Sequence, residues 1–260
     1  MSYKLIISWN VNGIRAMIKK NFLTWLLETN PEILCLQETK AHPDQLTHEI
    51  LHPNGYFGIW NAAQKRGYSG VATLSKIKPL MEISHFGEDI LDEEGRIILT
   101  EYKDFYLFNI YFPNGGRDEI RLAYKLRFYD RFFLLLKEYE RKKKPIIFCG
   151  DVNTAHHSID LSRSKENENI SGFLPIERAW LDKITDYGYV DVFRHFYPDK
   201  KDQYTWWDMK THARARNVGW RLDYFWVQEK FLSKIKDAFI LSDVFGSDHC
   251  PVGIKIDAEL

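Results

Sequence analysis

Short apolar runs that end in polar residues recur along this chain. Lys4–Trp9 runs into Asn10-Val11-Asn12-Gly13, Ile33–Leu36 into Gln37-Glu38-Thr39-Lys40, and Pro145–Cys149 into Gly150-Asp151-Val152-Asn153. Runs this short, bounded by Pro, Gly or polar clusters, predict buried strands. Side chains alternate along a strand, so Asp151 and Asn153 emerge on one side of its end. Asn10-Val11-Asn12 is a near copy of Asp151-Val152-Asn153. The echo suits a two-halved architecture in which the two strand ends meet.

Further strands are expected at Tyr56–Trp60, Val71–Ser75, Arg96–Tyr102 and Phe105–Tyr111, with little helix between them. Consecutive strands on short connections imply antiparallel pairing and argue against a doubly wound parallel sheet. Helices are predicted at Lys19–Glu28, stopped by Pro31, at Glu119–Lys142 with Leu122, Leu126, Tyr129, Phe133 and Leu136 on one face, and at Ile176–Tyr187. Strands at Tyr189–Phe193, Gln203–Trp207, Leu222–Gln228, Ala238–Leu241 and Pro251–Ile256 complete the chain, and His156–Gly172 reads as a polar loop. No composition break or Ser/Gly-rich linker divides it, so residues 1–260 are expected to form one domain of packed sheets with helices outside.

Charge adds a constraint. The 36 basic and 36 acidic residues cancel, so a polyanionic partner would have to be recognised by a local patch. Three cysteines, Cys35, Cys149 and Cys250, have neither zinc spacing nor an even number, which fits buried thiols in a reducing compartment. Without a signal-peptide pattern or an apolar run near the ~20 residues of a membrane span, a cytoplasmic protein is expected, nucleoid-associated if prokaryotic, with no membrane partner.

The strand ends and loops together offer Asn10, Asn12, Glu38, Tyr111, Asn114, Asp151, Asn153, Asp223, Asp248 and His249. Oxygen donors with one prominent imidazole are the chemistry of a hard divalent cation on a phosphate ester, whereas zinc would call for more His or Cys. A phosphate-binding Gly-rich loop and a Gly-x-Ser-x-Gly elbow are both missing, which leaves nucleotide-driven and serine-esterase readings without support. From Asp208 to Asp223 the chain is basic and aromatic: Lys210, Arg214, Arg216 and Arg221 lie among or beside Trp206, Trp207 and Trp220, a composition suited to a phosphate backbone and an extrahelical sugar. Lys142-Lys143-Lys144 reads as a solvated helix end. His156 and His157, adjacent on a loop, are expected to point apart, with His156 steadying the loop after Asn153.

Six stretches resemble the motifs of the exonuclease III family of apurinic/apyrimidinic (AP) endonucleases: Ser8–Ala16, Leu36–Lys40, Tyr111–Asn114, Gly150–His156, Asn217–Tyr224 and Gly246–Pro251. They occur in the family's order and span nearly the whole chain. The resemblance implies a DNase I-like, four-layered α/β sandwich: two packed mixed β-sheets flanked by helices, in two pseudo-symmetric halves. It implies Mg²⁺, with Mn²⁺ an alternative, held chiefly by Glu38 with Asn10 and Asp248 nearby. Asp151 and Asn153 would align the attacking water, Asp151 serving as general base or, alternatively, as acid toward the leaving oxygen. His249, oriented by Asp223, would donate to a phosphate oxygen; Tyr111, Asn114 and Asn12 would make further contacts. Trp206, Trp220 and Leu222 would line a pocket for a base-free deoxyribose, with Arg117 and Arg214 near the DNA. The implied activity is DNA-repair cleavage 5′ to abasic sites in duplex DNA, with 3′-phosphodiesterase or 3′–5′ exonuclease action on 3′-blocked ends, by a monomer. The rivals are another phosphodiesterase or phosphatase of the same superfamily and a non-catalytic nucleic-acid-binding relative, the latter disfavoured because Glu38, Asp151, Asp223 and Asp248 are all present.

Overall fold

The computed structural model describes residues 3–116 and 118–260. Its strands are β1 (Lys4–Asn10), β2 (Ile33–Gln37), β3 (Phe57–Asn61), β4 (Val71–Ser75), β5 (Met81–Ile83), β6 (Ile97–Glu101), β7 (Tyr106–Tyr111), β8 (Ile146–Asp151), β9 (Tyr189–Asp191), β10 (Trp206–Trp207), β11 (Gly219–Trp220), β12 (Asp223–Gln228), β13 (Ile235–Ile240) and β14 (Val252–Ile256). Two six-stranded sheets form, in the orders β13-β14-β1-β2-β4-β3 and β9-β12-β8-β7-β6-β5, with β10 and β11 as a separate pair. Each large sheet has one parallel pair at its centre, β1 with β2 and β7 with β8, and antiparallel pairs elsewhere. In chain order β7, β8, β9 and β12 repeat β1, β2, β3 and β4: a central parallel pair, then an edge strand and the strand that joins it to the pair. By this connectivity β8 matches β2, so the echo at the ends of β1 and β8 is not the internal repeat; the two ends instead meet across the interface, Asn10 Nδ2 donating to Asp151 Oδ2 at 2.8 Å.

Strand alternation explains the layering. Ile6 of β1, Ile33 and Cys35 of β2, Leu107 of β7, Ile147 and Cys149 of β8, and Phe225 and Val227 of β12 face between the sheets in one buried cluster. Their neighbours face outward. Ile7, Trp9, Leu34 and Leu36 pack under the helices Ile14–Ile18 and Phe22–Thr29, while Phe108, Ile110, Ile146, Phe148 and Trp226 pack under Glu119–Glu140 and Pro175–Asp186. This gives helix, sheet, sheet, helix, the expected four layers. Continuing the inward alternation by one step places Asn10, Gln37, Tyr111, Asp151 and Asp223 at the polar end of the same interface. The inner face has already turned polar there: Gln37 Nε2 donates to Ser8 Oγ at 3.0 Å and to Asn109 Oδ1 at 2.8 Å.

Several boundaries differ from the sequence expectation. A short helix, Ile14–Ile18, precedes the second one, which runs Phe22–Thr29 rather than from Lys19, because Asn21 interrupts it in the left-handed region. The strand expected over Tyr189–Phe193 stops at Asp191, whose side chain caps the helix Val192–Phe196 by accepting from Arg194 N at 3.3 Å. Gln203–Trp207 contributes only the two residues of β10. Along Glu119–Glu140 the buried stripe runs through Lys125, Phe128, Tyr129, Phe132, Phe133, Leu135, Leu136 and Tyr139, leaving Leu122 and Leu126 only partly covered. His156 and His157 do not point apart: their rings stack with centroids 3.7 Å apart, and His156 Nε2 lies 2.8 Å from Asp182 Oδ1. The three cysteines are buried free thiols, and among the described residues no helix is long and apolar enough to cross a membrane.

Arg221 is the clearest correction. Grouped by sequence with DNA-facing cations, it is instead buried, donating from Nε to Asp160 Oδ1 at 2.8 Å and from Nη2 to Asp191 Oδ2 at 2.6 Å. Arg194 joins the same network through Asp160 at 2.7 Å. Two arginines hold the Asp160 carboxyl well below the usual range, outweighing the burial that opposes ionisation. Removing one partner strands charge in the interior, so Arg221→Met should lower unfolding free energy by about 3–5 kcal/mol. Arg216→Ala, at an exposed position, should change it by less than about 0.5 kcal/mol. Urea unfolding at neutral pH measures both, and similar values for the two would contradict this placement.

Candidate active site

The turns after β1, β2 and β8 carry much of the site, and their backbones are unusual. Asn12, Glu38, Lys40 and Asn153 all have positive φ, at 45°, 51°, 50° and 54°. Asn tolerates this region because its side chain bonds locally. In both copies of the echo the side chain two residues earlier also fixes the turn, Asn10 Oδ1 accepting from Asn12 N at 3.0 Å and Asp151 Oδ1 from Asn153 N at 2.8 Å. Glu38 has no such help from its own side chain, and its conformation is held by Gly13 N donating to Glu38 O at 2.7 Å. Gly150 is required for a different reason: a Cβ there would lie 1.8 Å from Ile110 O, so only glycine lets β8 reach its register with β7.

At the centre, the buried Asn10 Nδ2 donates to Glu38 Oε1 at 2.9 Å and to Asp151 Oδ2 at 2.8 Å. Because both partners are acceptors, the amide must present its NH₂ group to them. Tyr111 Oη adds a bond to Glu38 Oε1 at 2.7 Å, and Lys40 pairs with Glu38 Oε2 at 2.7 Å while also donating to Asn12 Oδ1. Burial opposes ionisation of Glu38, yet Lys40 and these donors outweigh it and its pKa is lowered. The Tyr111 phenol goes the other way, raised well above its ordinary value by burial and by Glu38, and so keeps its proton. Arg96 fixes Tyr111, donating to its carbonyl at 3.1 Å with the guanidinium 4.3 Å from the ring centroid, and is itself held by Glu94.

Asp151 and Asp223 are directly opposite across the β8–β12 ladder. Like charges so placed repel, and both are buried. His249 relieves this: Nδ1 lies 2.8 Å from Asp223 Oδ2, and Nε2 lies 3.8 Å from Asp151 Oδ2. Burial pushes the Asp151 pKa up to about 7, Asp223 and Glu38 adding to the rise and His249 and Asn10 opposing it. Burial lowers the pKa of His249, but Asp223 and then Asp151 overcome it and raise it to about 10. The imidazole is therefore a charged donor at neutral pH.

Asn153 completes the group by donating from Nδ2 to Phe112 O at 2.9 Å and accepting from Asn114 Nδ2 at 3.2 Å. Asp248 Oδ1 accepts from Asn12 at 2.9 Å and Oδ2 from Trp206 Nε1 at 3.1 Å, so its oxygens are engaged beside the central cluster. Glu38, Asp151 and His249 each bring a potential ligand atom within 4.8 Å of the others, the only such group among the described residues, but the charged His249 has no free ring nitrogen to give. That leaves two carboxylates, a donor set suited to a hard divalent ion.

A cavity of about 590 Å³ opens over these groups, lined by Glu38, Tyr111, Asn153 and His249 and also by Trp206, Trp220 and Leu222, with Trp206 bridged by its backbone to His249. Trp206 and Trp220 are cross-strand partners in β10 and β11 and pack on Leu222, Phe173, Leu161 and Ala155. Arg214 does not line this cavity. Its guanidinium donates to the carbonyls of Ser242, Val244 and Ser247 and stacks on Trp207 and Phe245, securing the loop that delivers Asp248 and His249. Arg117 lies outside the described residues. Lys40, Ser162, Arg163 and Asn167 also line the cavity. The last three fall in His156–Gly172, the stretch read from sequence as a polar loop; Lys40 ends the Leu36–Lys40 motif, where the resemblance implies no role for it.

The family described as endonuclease/exonuclease/phosphatase matches residues 7–249. An exodeoxyribonuclease of Bacillus subtilis is 44% identical over 253 residues, covering 97% of this chain and 99% of that one. The DNA repair nuclease APEX1 of Danio rerio is 42% identical over 251 residues, 95% of this chain and 80% of that one. The solved AP endonuclease of Archaeoglobus fulgidus superimposes with a TM-score of 0.89 at 28% identity, covering 98% of this chain and 100% of that chain. The chain thus belongs to the endonuclease/exonuclease/phosphatase family. Within it, the chain falls in the exonuclease III–AP endonuclease group and is a hydrolytic nuclease of DNA repair.

The charge on His249 is testable in the metal-free protein. A raised folded pKa gives stability that is complete below the ordinary value of 6.5 and is lost as pH rises through about 10. Nitrogen-15 NMR should find the ring doubly protonated at mildly alkaline pH, and Asp223→Asn should move its titration down toward the ordinary range. A ring already neutral in mildly alkaline wild-type protein would contradict the dyad.

Proposed function

We propose that this nuclease uses Mg²⁺ to hydrolyse the DNA backbone 5′ to abasic sites in duplex DNA, leaving a 3′-hydroxyl, with accompanying 3′-phosphodiesterase or 3′–5′ exonuclease action. The observation that carries the reading is the joining of an ionised Glu38 and a buried, proton-accepting Asp151 through Asn10, beneath a cavity that Trp206, Trp220 and Leu222 also line.

Asp151, with a pKa of about 7, is poised to take a proton from a water near neutral pH. Asn153 sits beside it with Nδ2 3.3 Å from Asp151 Oδ2 and would orient that water. His249, already charged and held by Asp223, would donate from Nε2 to a phosphate oxygen where negative charge develops. Tyr111 stays protonated and Asn114 borders the same mouth, so both offer donors to the phosphate. A divalent ion held by Glu38, with Asn10 and Asp248 bordering it, would supply charge neutralisation at the scissile phosphate. A sugar lacking its base would rest against the apolar part of the lining, Trp206, Trp220 and Leu222, whereas an intact nucleotide would have to desolvate its base there. Lys40 and Arg163 on the cavity and exposed Lys210 and Arg216 near it provide local positive charge for a backbone.

A duplex carrying one abasic analogue should be cut 5′ to the lesion in Mg²⁺ and left intact after EDTA. Asp151→Asn should lower turnover by about 10³-fold or more, the scale of losing a base together with its charge. Uncut duplex with wild-type protein, or wild-type rates in Asp151→Asn, would refute this assignment.

A further inference from the structure

The helix Glu119–Glu140 carries a lysine into the interior. Lys125 has no exposed surface, and its ammonium spends all three donors: on Asn153 O at 2.8 Å, Thr154 Oγ1 at 2.8 Å and Glu177 Oε1 at 2.7 Å. Glu177, equally buried in the first turn of Pro175–Asp186, is just as fully used. Besides Lys125 it accepts from Ser171 Oγ at 2.9 Å, Gly172 N at 2.6 Å and Leu174 N at 3.1 Å. One ion pair therefore grips two segments at once. On one side is the turn bearing Asn153; on the other is Ser171-Gly172, a wall of the substrate cavity.

The two segments are also joined directly, Ala155 N donating to Gly172 O at 2.8 Å. Gly172 lies so close to Trp220 that a Cβ would come within 3.2 Å of the ring. Any shift of the Lys125–Glu177 pair would thus move Asn153 and the Trp220 side of the pocket together.

Stability alone is a poor reason for such a pair. Taking both charges out of water costs several kcal/mol per ion, and apolar or neutral replacements of similar volume are often no less stable. What the charges provide is geometry. Asn153 occupies a left-handed conformation whose carbonyl would otherwise have few fixed partners, and its side chain must sit within a fraction of an ångström of its working position.

We propose that Lys125 and Glu177 are positioning residues for the hydrolysis, setting Asn153 against Asp151 and locking that turn to the Ser171-Gly172 wall of the pocket. This rests on the role given to Asn153 above. The neutral double variant Lys125→Met/Glu177→Gln keeps the volume and the capping acceptor of Glu177. It should melt within about 5 °C of wild type. Its kcat on the abasic duplex should fall about 30- to 100-fold, the scale of misplacing one positioned group, with KM changed less than about threefold. Hydrogen exchange of peptides covering 151–156 and 170–174 should quicken by about tenfold or more. As a control, Leu136→Ala opens a core cavity on the same helix and should lower the melting temperature by about 5–15 °C while leaving kcat unchanged.

Wild-type kcat with unchanged exchange in the double variant would overturn the proposal. So would a double variant unfolded at the assay temperature, or an equal kcat loss in Leu136→Ala, since either makes the pair a stability element. Should wild-type protein leave the abasic duplex intact, the nuclease substrate is wrong, and the exchange measurement still decides whether the pair holds the turn.

Discussion

A single neutral amide, that of Asn10, holds two buried or half-buried carboxylates from different sheets within reach of each other. Everything else around it makes that proximity tolerable. Glu38 and Asp151 repel, and so do Asp151 and Asp223, which the ladder places face to face. Lys40 on one side and His249 on the other supply the balancing charge. The result is a division of labour set by environment. Glu38, surrounded by donors, stays ionised; Asp151, deeper and flanked by carboxylates, is lifted to where it can exchange a proton.

The fold delivers this arrangement by one geometric device used twice. In each sheet a central parallel pair ends at the same edge, and inward alternation puts a polar residue at each terminus. Packing the sheets face to face through Ile6, Leu107, Ile147 and their neighbours then brings the two edges together. The turns beyond the strands are held in left-handed backbone, a strain that the surrounding hydrogen bonds sustain and that fixes where the side chains point. Supports further out, such as Arg96 behind Tyr111, Arg214 behind the 242–247 loop and Lys125 behind Asn153, anchor each turn to a rigid element.

Much of this was legible in the chain itself. Apolar strand runs that end in Asn, Glu or Asp advertise both the strand and the exposed chemistry at its end, so Asn10, Glu38 and Asp151 could be read with their elements. The echo between β1 and β8 was readable because the same turn needs the same residue types. Charge, by contrast, misled wherever tertiary partners decided its fate. Arg221 looked like a cation for DNA because Asp160 and Asp191, which consume it, are remote in sequence. Lys125 was invisible: a lysine in an amphipathic helix ordinarily marks the wet side, and only the rotation of the buried stripe away from Leu122 and Leu126 puts it inside. The cavity wall between Ser162 and Gly172 carries no periodicity, so its role depends on contacts that local pattern does not encode.

If two sheets exist here to create one cation-binding carboxylate cluster, then where a divalent ion settles is the decisive observation. A crystal of the protein soaked in Mn²⁺ and recorded at the manganese absorption edge should give an anomalous peak about 2.1–2.2 Å from a Glu38 carboxylate oxygen, a normal distance for a hard cation. Lys40 should have withdrawn from that carboxylate, and Asn10 should still bridge to Asp151. A peak bound elsewhere with Glu38 still paired to Lys40, or no peak at saturating Mn²⁺, would contradict the account.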